Sequence, residues 1–331
     1  MIAGSLGELP AAVSRAVVIN VKTDVVATLA LVSLAHRLPP GSSILLVNCE
    51  PDADGRDHFL ALSQMFDFDI IEAPTRHHGL TLDWLFRGLH RDGRILLLDS
   101  DAEVRDARFV EWMNRKMEND LAFGAGYTWG PFFIPESWGV VEDTVLYVQR
   151  PWLPCVMLKV APVIDALDHG LTFLESYTHN EFSYSNRVAH FLAARWGPPW
   201  GGRNPAFDRL PARWQRRMGS WRMDWLSWAA HDYHGHRPKI ACFDTAGAIY
   251  QYLINDRGLL FAGIPVELGA DDVVHHFSGV TRHNVYGHDV LATPESAITA
   301  EVVGKLRAEY RAEAAADLVD RLSSSKRLPS R

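Results

Sequence analysis

Four short apolar runs in the first 125 residues, separated by segments with helical periodicity, constrain the fold more than any other feature of the sequence. The runs are AVVIN (16–20), SILLVN (43–48), DIIEA (69–73) and RILLLD (94–99). One apolar stripe with the spacing i, i+3, i+4, i+7 precedes the fourth run: Leu82, Leu85, Phe86 and Leu89. Continuously apolar strands that alternate with amphipathic helices are typical of a parallel sheet covered on both faces. The sequence therefore predicts a Rossmann-like α/β fold.

Polar residues follow each run, at the edge where open parallel sheets bind their ligands. They are Asn20, Lys22 and Asp24, then Asn48 and Glu50, then His77 and His78, then Asp99, Ser100 and Asp101. Neither G-x-G-x-x-G nor G-x-x-x-x-G-K-[ST] follows the first run, so the dinucleotide fingerprint and the P-loop are excluded. A metal ion is then the obvious partner for the phosphates of a bound nucleotide.

Asp99 and Asp101 form a D-x-D pair directly after a buried apolar run. Carboxylates crowded at such a place repel one another, so they usually hold a cation or face open water. The alternative is that the pair caps the helix predicted to follow, whose apolar stripe begins at Phe109. Two further D-x-D pairs lie in a turn-like cluster and at a helix-to-strand junction, where solvated acidic residues are ordinary: Asp52/Asp54 and Asp67/Asp69.

Composition narrows the class of protein. The 331 residues are 47% hydrophobic, enough for one large domain or two smaller ones. A net charge of -7 gives no overall positive field for nucleic acid. Cys49, Cys155 and Cys242 are far apart and in no metal-ligand spacing, which predicts reduced thiols. With no signal-peptide pattern and no apolar run of ~18 residues, the expectation is a soluble, cytoplasmic protein without a transmembrane segment.

The segment HHGLTLDWLFRGLHRDGRILLLDSDAEV (77–104) resembles the core of bacterial glycosyltransferases of the GT-A fold, most closely the family 2 group. In that family a short helix precedes a hydrophobic strand that ends in the D-x-D motif. The segment FDTAGAIYQYLINDRGLLFAGIPVELGADDVVHHFSGVTRH (243–283) is similar to the family's acidic residue, helix, Gly turn, strand and closing histidine-glycine segment. The resemblance implies one GT-A domain, with residues 1–125 binding a nucleotide sugar and residues 126–331 forming a mixed, acceptor-binding half.

The activity implied by the resemblance is transfer of a sugar from a nucleoside-diphosphate sugar, of UDP or GDP type, to a small-molecule or glycan acceptor. A divalent ion would stabilise the charge that develops on the leaving diphosphate. Oxygen ligands suit Mn²⁺ or Mg²⁺, and a histidine ligand favours Mn²⁺. By the resemblance, Asp101 is the main metal ligand, while Asp99 shares the metal and positions the donor. His276 completes the site, with His275, His283 or a plain surface histidine as alternatives.

The resemblance also assigns the nucleotide and the acceptor. The base and ribose would contact residues of the first two strand ends, together with the serine of the motif: Asn20, Lys22, Asp24, Asn48, Glu50 and Ser100. Asp83 matches a polar position of the family motif, but in the apolar segment LTLDWLF it needs a hydrogen-bond donor unless it lies on a solvated face. Phe243-Asp244-Thr245 replaces the family's usual Glu-Asp pair, so Asp244 is the candidate general base. Its alternative role is to N-cap the helix that follows.

Several alternatives stay open. Within the Trp-rich segment 196–228, the apolar stripe at 214–228 is open to four interpretations: a core helix, a dimer seam, a helix in peripheral contact with a membrane, or a sugar-stacking surface. The Pro/Gly loop at 196–205 suits an acceptor-site lid or a plain surface loop. A haloacid dehalogenase phosphatase is disfavoured because it needs Thr or Val where Glu103 stands. A nucleotidyltransferase would share the fold and the metal but would show a Gly-rich, basic loop after its first strand. A non-catalytic scaffold that binds a sugar nucleotide or a glycan is the remaining alternative.

Overall fold

A computed structural model describes residues 2–3, 14–73, 77–133, 145–179, 240–264, 273–277, 280 and 294–325. Its strands are β1 (Ile2–Ala3), β2 (Ser14–Asn20), β3 (Ser43–Cys49), β4 (Asp69–Ala73), β5 (Arg94–Asp99), β6 (Ala102–Val104), β7 (Ala122–Trp129), β8 (Phe132–Phe133), β9 (Val145–Tyr147), β10 (Arg150–Lys159), β11 (Ser176–His179), β12 (Ile240–Phe243), β13 (Leu260–Gly263) and β14 (Val274–His276). Its helices are α1 (Asp24–Arg37), α2 (Ala53–Phe66), α3 (His78–Gly88), α4 (Ala107–Lys116), α5 (Val160–Asp168), α6 (Gly247–Gln251), α7 (Glu295–Ala308) and α8 (Glu313–Ser325). The Trp-rich segment 196–228 and His283 lie outside the described residues.

The main sheet has eight strands in the order β1-β4-β3-β2-β5-β10-β7-β13. Strands β1 to β5 are mutually parallel, β10 runs antiparallel to both β5 and β7, and β13 is parallel to β7. The predicted α/β fold with a mostly parallel sheet is therefore confirmed, and the four apolar runs form β2, β3, β4 and β5. The boundary proposed after residue 125 falls inside β7, and strands from both proposed halves share this sheet.

Helices cover both faces of the sheet because its central strands are apolar on both sides. Val17 and Leu45 face a core formed with α3, α5 and α6. Val18 and Leu46, one residue further along each strand, face a second core formed with α1, α2, α4, α7 and α8. Each such fully buried side chain stabilises the fold by about 1.5–3 kcal/mol. Because side chains alternate between the two faces along each strand, this burial fixes the position of every strand, and with it the residues that stand at the sheet's edge.

Two smaller sheets lie beyond this core. One has the strand order β11-β12-β9-β8, and the other pairs β14 with β6. The C-terminal helices hold the β6 strand in place through Glu103, which is fully buried and accepts hydrogen bonds from Lys305 Nζ (2.5 Å) and Tyr310 Oη (2.8 Å). Because a buried carboxylate without partners is strongly unfavourable, these bonds fix the position of β6 and of the turn that precedes it.

Cys49, Cys155 and Cys242 are buried free thiols, as expected. Burial raises the pKa of the Cys49 thiol to about 12, so it is not a reactive thiolate at neutral pH. Within the described segments, no helix combines the length and the apolar character needed to cross a bilayer.

Candidate functional site

Three side chains that could ligate a metal meet at the carboxyl edge of the main sheet. Asp99 ends β5, Asp101 lies in the turn before β6, and His276 ends β14. One potential ligand atom from each of them lies within 4.8 Å of the others, and His276 Nε2 is 3.2 Å from an Asp101 carboxylate oxygen. Two carboxylates and an imidazole are a donor set that suits Mn²⁺ or Mg²⁺, so these residues fit the predicted ion.

The pairing of β14 with β6 brings His276 to this cluster across 175 residues of sequence. His276 lies opposite Ala102, and the Phe277 N–H donates to the Asp101 carbonyl at 2.7 Å. The ring of Trp152 on β10 packs against the His276 imidazole, with 5.7 Å between the ring centroids. Asp101 is buried, whereas the side chains of Asp99 and His276 keep 27% and 24% of their exposure. The cluster is therefore rigidly held and open on one side.

The neighbouring histidine points elsewhere. His275 Nε2 lies 3.7 Å from a Glu301 carboxylate oxygen, and its ring packs edge-on against Phe277 with 4.4 Å between centroids. Burial, with the positive charges of Arg105 and Lys305, lowers the pKa of His275. Between the two adjacent histidines, His276 is the one that joins the carboxylate cluster.

Electrostatics make the Asp99 position unusual. Burial raises the pKa of the Asp99 carboxyl, and the Asp101 charge raises it further, against the opposing influence of His78, His276 and Arg150. A carboxyl group that is difficult to ionise in the metal-free protein, beside a second carboxylate, is stabilised in its charged form by a bound cation. Neither aspartate caps the next helix, because Asp106 is the N-cap of α4, so that alternative is wrong.

His78 lies beside the cluster, next to Asp99, and no role was predicted for it from the sequence. It is the first residue of α3, and its Nε2 lies 3.7 Å from an Asp99 carboxylate oxygen. Its position directly after the third strand end was the available signal.

A buried hydrogen-bond network, which we call the framework, ties the ends of β2, β3 and β5 together. The Asn20 side-chain amide donates to Asp24 and to Asn48, each at 2.9 Å, and Asn20 Oδ1 accepts from the Thr23 N–H and hydroxyl. The Thr23 hydroxyl also lies 2.6 Å from Ser100 Oγ. All five residues are buried. Asn20, Asp24, Asn48 and Ser100, four of the residues predicted to bind the nucleotide, are therefore joined through hydrogen bonds to one another and to Thr23.

Lys22 and Glu50 form the exposed rim of the same edge. They stand two residues after Asn20 and Asn48, and both adopt the left-handed backbone conformation, with φ of 55° and 48°. A positive φ at a residue other than glycine is uncommon and is usually retained where the surrounding structure imposes it. Two such residues at equivalent positions after adjacent strands mark a constrained rim beside the framework.

Asp83 packs α3 against the chain that follows α5. Its Oδ1 accepts a hydrogen bond from the Phe173 N–H at 2.8 Å. A Cβ on Gly79, one turn earlier, would lie 3.0 Å from the Phe173 carbonyl oxygen, so the two segments are in close backbone contact. The donor that an aspartate in this apolar helix needs is therefore a backbone amide, and the Asp83 side chain is half-buried.

Asp244 follows β12 and accepts hydrogen bonds from several directions. Its Oδ2 accepts from Tyr147 Oη and forms an ion pair with Arg150 at 2.8 Å, while its Oδ1 accepts from the Thr245 N–H at 2.7 Å. Burial alone would raise the pKa of Asp244, but the Arg150 charge and these hydrogen bonds lower it overall. The N-cap position of α6 is Ala246, with φ of 69°, so the helix-capping alternative for Asp244 is wrong.

Arg150 and Tyr147 connect Asp244 with the metal cluster. Arg150 Nε donates to Tyr147 Oη at 3.0 Å, and the Arg150 charge acts on Asp99 as well as on Asp244. Burial, together with the nearby Asp244 carboxylate, raises the pKa of Tyr147, so its hydroxyl keeps its proton and remains a donor. Neither residue was predicted, since both lie between the two segments that carry the family resemblance, 77–104 and 243–283.

Comparisons with known proteins give matches among solved structures. No protein-family model matches the sequence, and no curated protein matches it significantly. The fragment TarS 1-349 from S. aureus has a TM-score of 0.33 at 13% identity, over 46% of this chain and 48% of its own. The same fragment in complex with UDP has a TM-score of 0.33 at 12% identity, over the same shares. The chain thus spans about half the length of this TarS fragment.

A further match is the mannosyltransferase PcManGT from Pyrobaculum calidifontis, solved in complex with GDP-Man and Mn²⁺. It has a TM-score of 0.39 at 8% identity, over 100% of this chain and 90% of its own. At these identities and TM-scores, function has to be inferred from the side chains of the site itself.

Proposed function

We propose that the protein is a metal-dependent glycosyltransferase of the hexosyl-transferring type. It would move a sugar from a nucleoside-diphosphate sugar, of UDP or GDP type, to a small-molecule or glycan acceptor. The observation that carries the proposal is the cluster of Asp99, Asp101 and His276 at the carboxyl edge of a mostly parallel sheet. A partly exposed site of this kind leaves coordination positions for phosphate oxygens.

The main chemical demand of the reaction is the negative charge that develops on the leaving nucleoside diphosphate. Mn²⁺ or Mg²⁺, bound to these residues, would act as a Lewis acid and as a template for the diphosphate. Asp101 and His276 hold the ion in this proposal, while Asp99, close to His78, binds the ion and orients the donor. Arg150, whose charge reaches Asp99, adds a second positive group on the same side.

The nucleotide occupies the edge beside the framework. Lys22 and Glu50, exposed and in a fixed backbone conformation, contact the base or ribose directly. Asn20, Asp24, Asn48 and Ser100 act mainly by holding the strand ends at fixed distances. Such preorganisation lowers the entropy that is lost when the nucleotide binds.

Asp244 is the proposed general base for the acceptor hydroxyl. Its lowered pKa keeps the carboxylate ionised at neutral pH, which a base requires, although it also weakens the base. The same contacts favour a second candidate function. A carboxylate already bonded to Arg150, Tyr147 and Thr245 would suit a scaffold that binds a sugar nucleotide or a glycan without transferring the sugar.

A thermal-shift panel of UDP, GDP, CDP, dTDP and ADP, each with and without Mn²⁺, tests the proposal. One nucleotide should stabilise the protein in a Mn²⁺-dependent way, by about 2.7 kcal/mol at 100 times its dissociation constant. No Mn²⁺-dependent shift with any nucleotide would contradict it. With the matching sugar nucleotide, a glycosyltransferase releases a nucleoside diphosphate, a nucleotidyltransferase forms or consumes pyrophosphate, and the scaffold gives neither product.

A further inference from the structure

An exposed aromatic surface lies at the end of β7, beyond the metal cluster. Trp129 is 46% exposed and is next to a second aromatic ring, that of Phe132. Its ring meets Phe132 edge-on, with 5.8 Å between centroids, and Phe132 stacks on Tyr147 at 4.9 Å and an interplanar angle of 6°. Trp129, Gly130, Pro131 and Phe132 line an open surface depression of about 460 Å³. We call Trp129 and Phe132 the aromatic platform.

The aromatic platform is continuous with the candidate site. Trp129 lies opposite Arg150 in the antiparallel pairing of β7 with β10, and opposite residues of such a pair project to the same side of the sheet. The charge of Arg150 acts on the Asp99 carboxyl of the metal cluster, and Trp152, also on β10, contacts the His276 ring. Strand β10 therefore connects the aromatic platform with the metal cluster.

The other end of the aromatic platform leads to Asp244. Phe132 stacks on the Tyr147 ring, and Tyr147 Oη donates to the Asp244 carboxylate. The same Tyr147 ring has the Arg150 guanidinium over it, at 5.9 Å from the centroid. The Tyr147 side chain thus connects the aromatic platform with the carboxylate proposed as the base.

The turn that joins β7 to β8 holds the aromatic platform in position. Gly130 adopts a φ of 78°, and a Cβ at this residue would lie 3.3 Å from the carbonyl oxygens of Tyr147 and Val148. This close backbone approach fixes the turn against β9. An aromatic surface that is ordered before binding loses little entropy on binding, as expected of a ligand site.

The chemistry of an exposed indole face favours one class of ligand. The face carries partial negative charge and is apolar, so it attracts the weakly positive C–H groups on one face of a pyranose ring. The ring hydroxyls stay at its edge, where they meet water or the polar groups of the neighbouring site. The polar groups of Asp244 and Arg150 lie beyond Tyr147, and the hydroxyls of a neutral sugar can form hydrogen bonds with them, whereas an aliphatic chain cannot.

We propose that the aromatic platform binds a pyranose unit of a neutral glycan acceptor, stacked on Trp129, with a hydroxyl directed toward Asp244. That the bound sugar is an acceptor rests on the glycosyltransferase function proposed above, whereas the binding of a pyranose does not. Trp129 determines affinity for the acceptor in this scheme and takes no part in binding the nucleotide.

The test uses the full chain and simple probes: the methyl glycosides of glucose, galactose, mannose and N-acetylglucosamine. Saturation-transfer NMR should detect at least one of them on the wild-type protein. Trp129→Ala should weaken its affinity by about tenfold or more, and Trp129→Phe should weaken it less because a ring remains. Leu121→Ala is the matched control, since Leu121 is 56% exposed and precedes the opposite end of β7; it should change nothing.

Calorimetric titration of UDP and GDP with Mn²⁺ on the same variants separates the two proposals. Unchanged nucleotide affinity in Trp129→Ala, together with lost pyranoside binding, supports both. The protein could instead bind a pyranoside through Trp129 but bind no nucleotide. That result would support the glycan site and contradict the proposed transferase function. The glycan site is overturned if no probe binds the wild type, if Trp129→Ala binds the probe as well as the wild type does, or if only phosphatidylcholine vesicles bind through Trp129.

Discussion

Two polar clusters lie side by side at the carboxyl edge of the main sheet, and they differ in how their charges are satisfied. In the framework, the only carboxylate is that of Asp24, which accepts a hydrogen bond from Asn20. The other members are neutral groups that form hydrogen bonds with one another. In the metal cluster, two carboxylates stand close together: Asp101 is buried, and the partial burial of Asp99 raises its pKa.

This difference in how the charges are satisfied indicates that the framework is structural and that the metal cluster binds a ligand. Hydrogen bonds between buried neutral groups stabilise the metal-free fold, because groups that lose their hydrogen bonds to water on folding gain partners within the chain. The repulsion between two neighbouring carboxylates lowers the stability of the folded state until a cation binds. Such pairs are therefore expected at ligand-binding sites, where binding rather than stability determines the residues. Substitutions in the two clusters should therefore have opposite signatures.

The largest expected effect is that of Asp101→Ala. Removing this carboxylate should abolish Mn²⁺-dependent nucleotide binding and sugar transfer while the fold survives, because the ion loses its most buried ligand. Asp54→Ala is the matched control from another D-x-D pair, in the first turn of α2, and should bind as the wild type does. Equal metal-dependent affinities in the two variants, measured by calorimetry, would refute the metal assignment.

Asp244→Asn should lower transfer by about 10² to 10⁴-fold, because the amide cannot accept a proton. Donor affinity should stay near that of the wild type. Since the variant also breaks the ion pair with Arg150, a loss of roughly 1–3 kcal/mol in unfolding free energy is expected. Tyr147→Phe, which keeps the carboxylate, should cost less activity.

A different result would reassign Asp244. If donor affinity falls and the turnover number does not, the residue acts by holding Arg150 in place. If the variant keeps full activity, the base is another carboxylate, such as Glu267 or Asp272, which lie outside the described residues, or the reaction retains configuration.

Asn20→Ala breaks the framework and should show the structural signature. It removes the central residue of the network and leaves buried partners unsatisfied, for an expected loss of about 3 kcal/mol in unfolding free energy. Gln64→Ala, at an exposed glutamine of α2, should stay within about 0.5 kcal/mol. Chemical denaturation measures both, and equal stabilities would show that the framework contributes nothing.

Asp99→Asn should have the smallest effect on the free energy of unfolding. In the metal-free protein it should raise this free energy, whereas Asn20→Ala lowers it. The folded-state pKa of Asp99 is raised, so ionisation favours the unfolded chain, and stability falls as pH rises from the unfolded pKa through the folded one. In EDTA, the variant should therefore melt above the wild type at neutral pH and lose this advantage below pH 3.8, the ordinary aspartate value. Added Mn²⁺ should reverse the order at neutral pH. A variant that melts below the wild type at neutral pH in EDTA would contradict the repulsion.

The parallel half of the fold could be predicted because each strand carries its own signal. The runs DIIEA and RILLLD coincide with β4 and β5 to the residue, since continuous apolar sequence is what burial on both faces requires. The two other D-x-D pairs were also interpreted correctly. Asp52 N-caps α2, and Asp67 ends that helix in the left-handed conformation.

The site was only half predictable, because long-range pairing creates the other half. Asp99 and Asp101 follow a strand that the sequence reveals, and His276 came from the family resemblance. Arg150 and Trp152 reach the site because β10 inserts antiparallel between β5 and β7, which no local pattern encodes. Buried polar bonds such as those of Asn20 were likewise invisible, since they depend on neighbouring strand ends meeting.

The most direct test of the metal cluster is the magnetic coupling between bound Mn²⁺ and an imidazole nitrogen, measured by pulsed electron paramagnetic resonance. With Mn²⁺ held by Asp99, Asp101 and His276, the wild-type protein should show this nitrogen coupling. His276→Ala should remove the coupling and weaken Mn²⁺ by roughly 10- to 100-fold, whereas His275→Ala, whose ring faces Glu301, should keep it. Mn²⁺ that binds the wild type without a nitrogen coupling, or a coupling that survives in His276→Ala, would contradict the account.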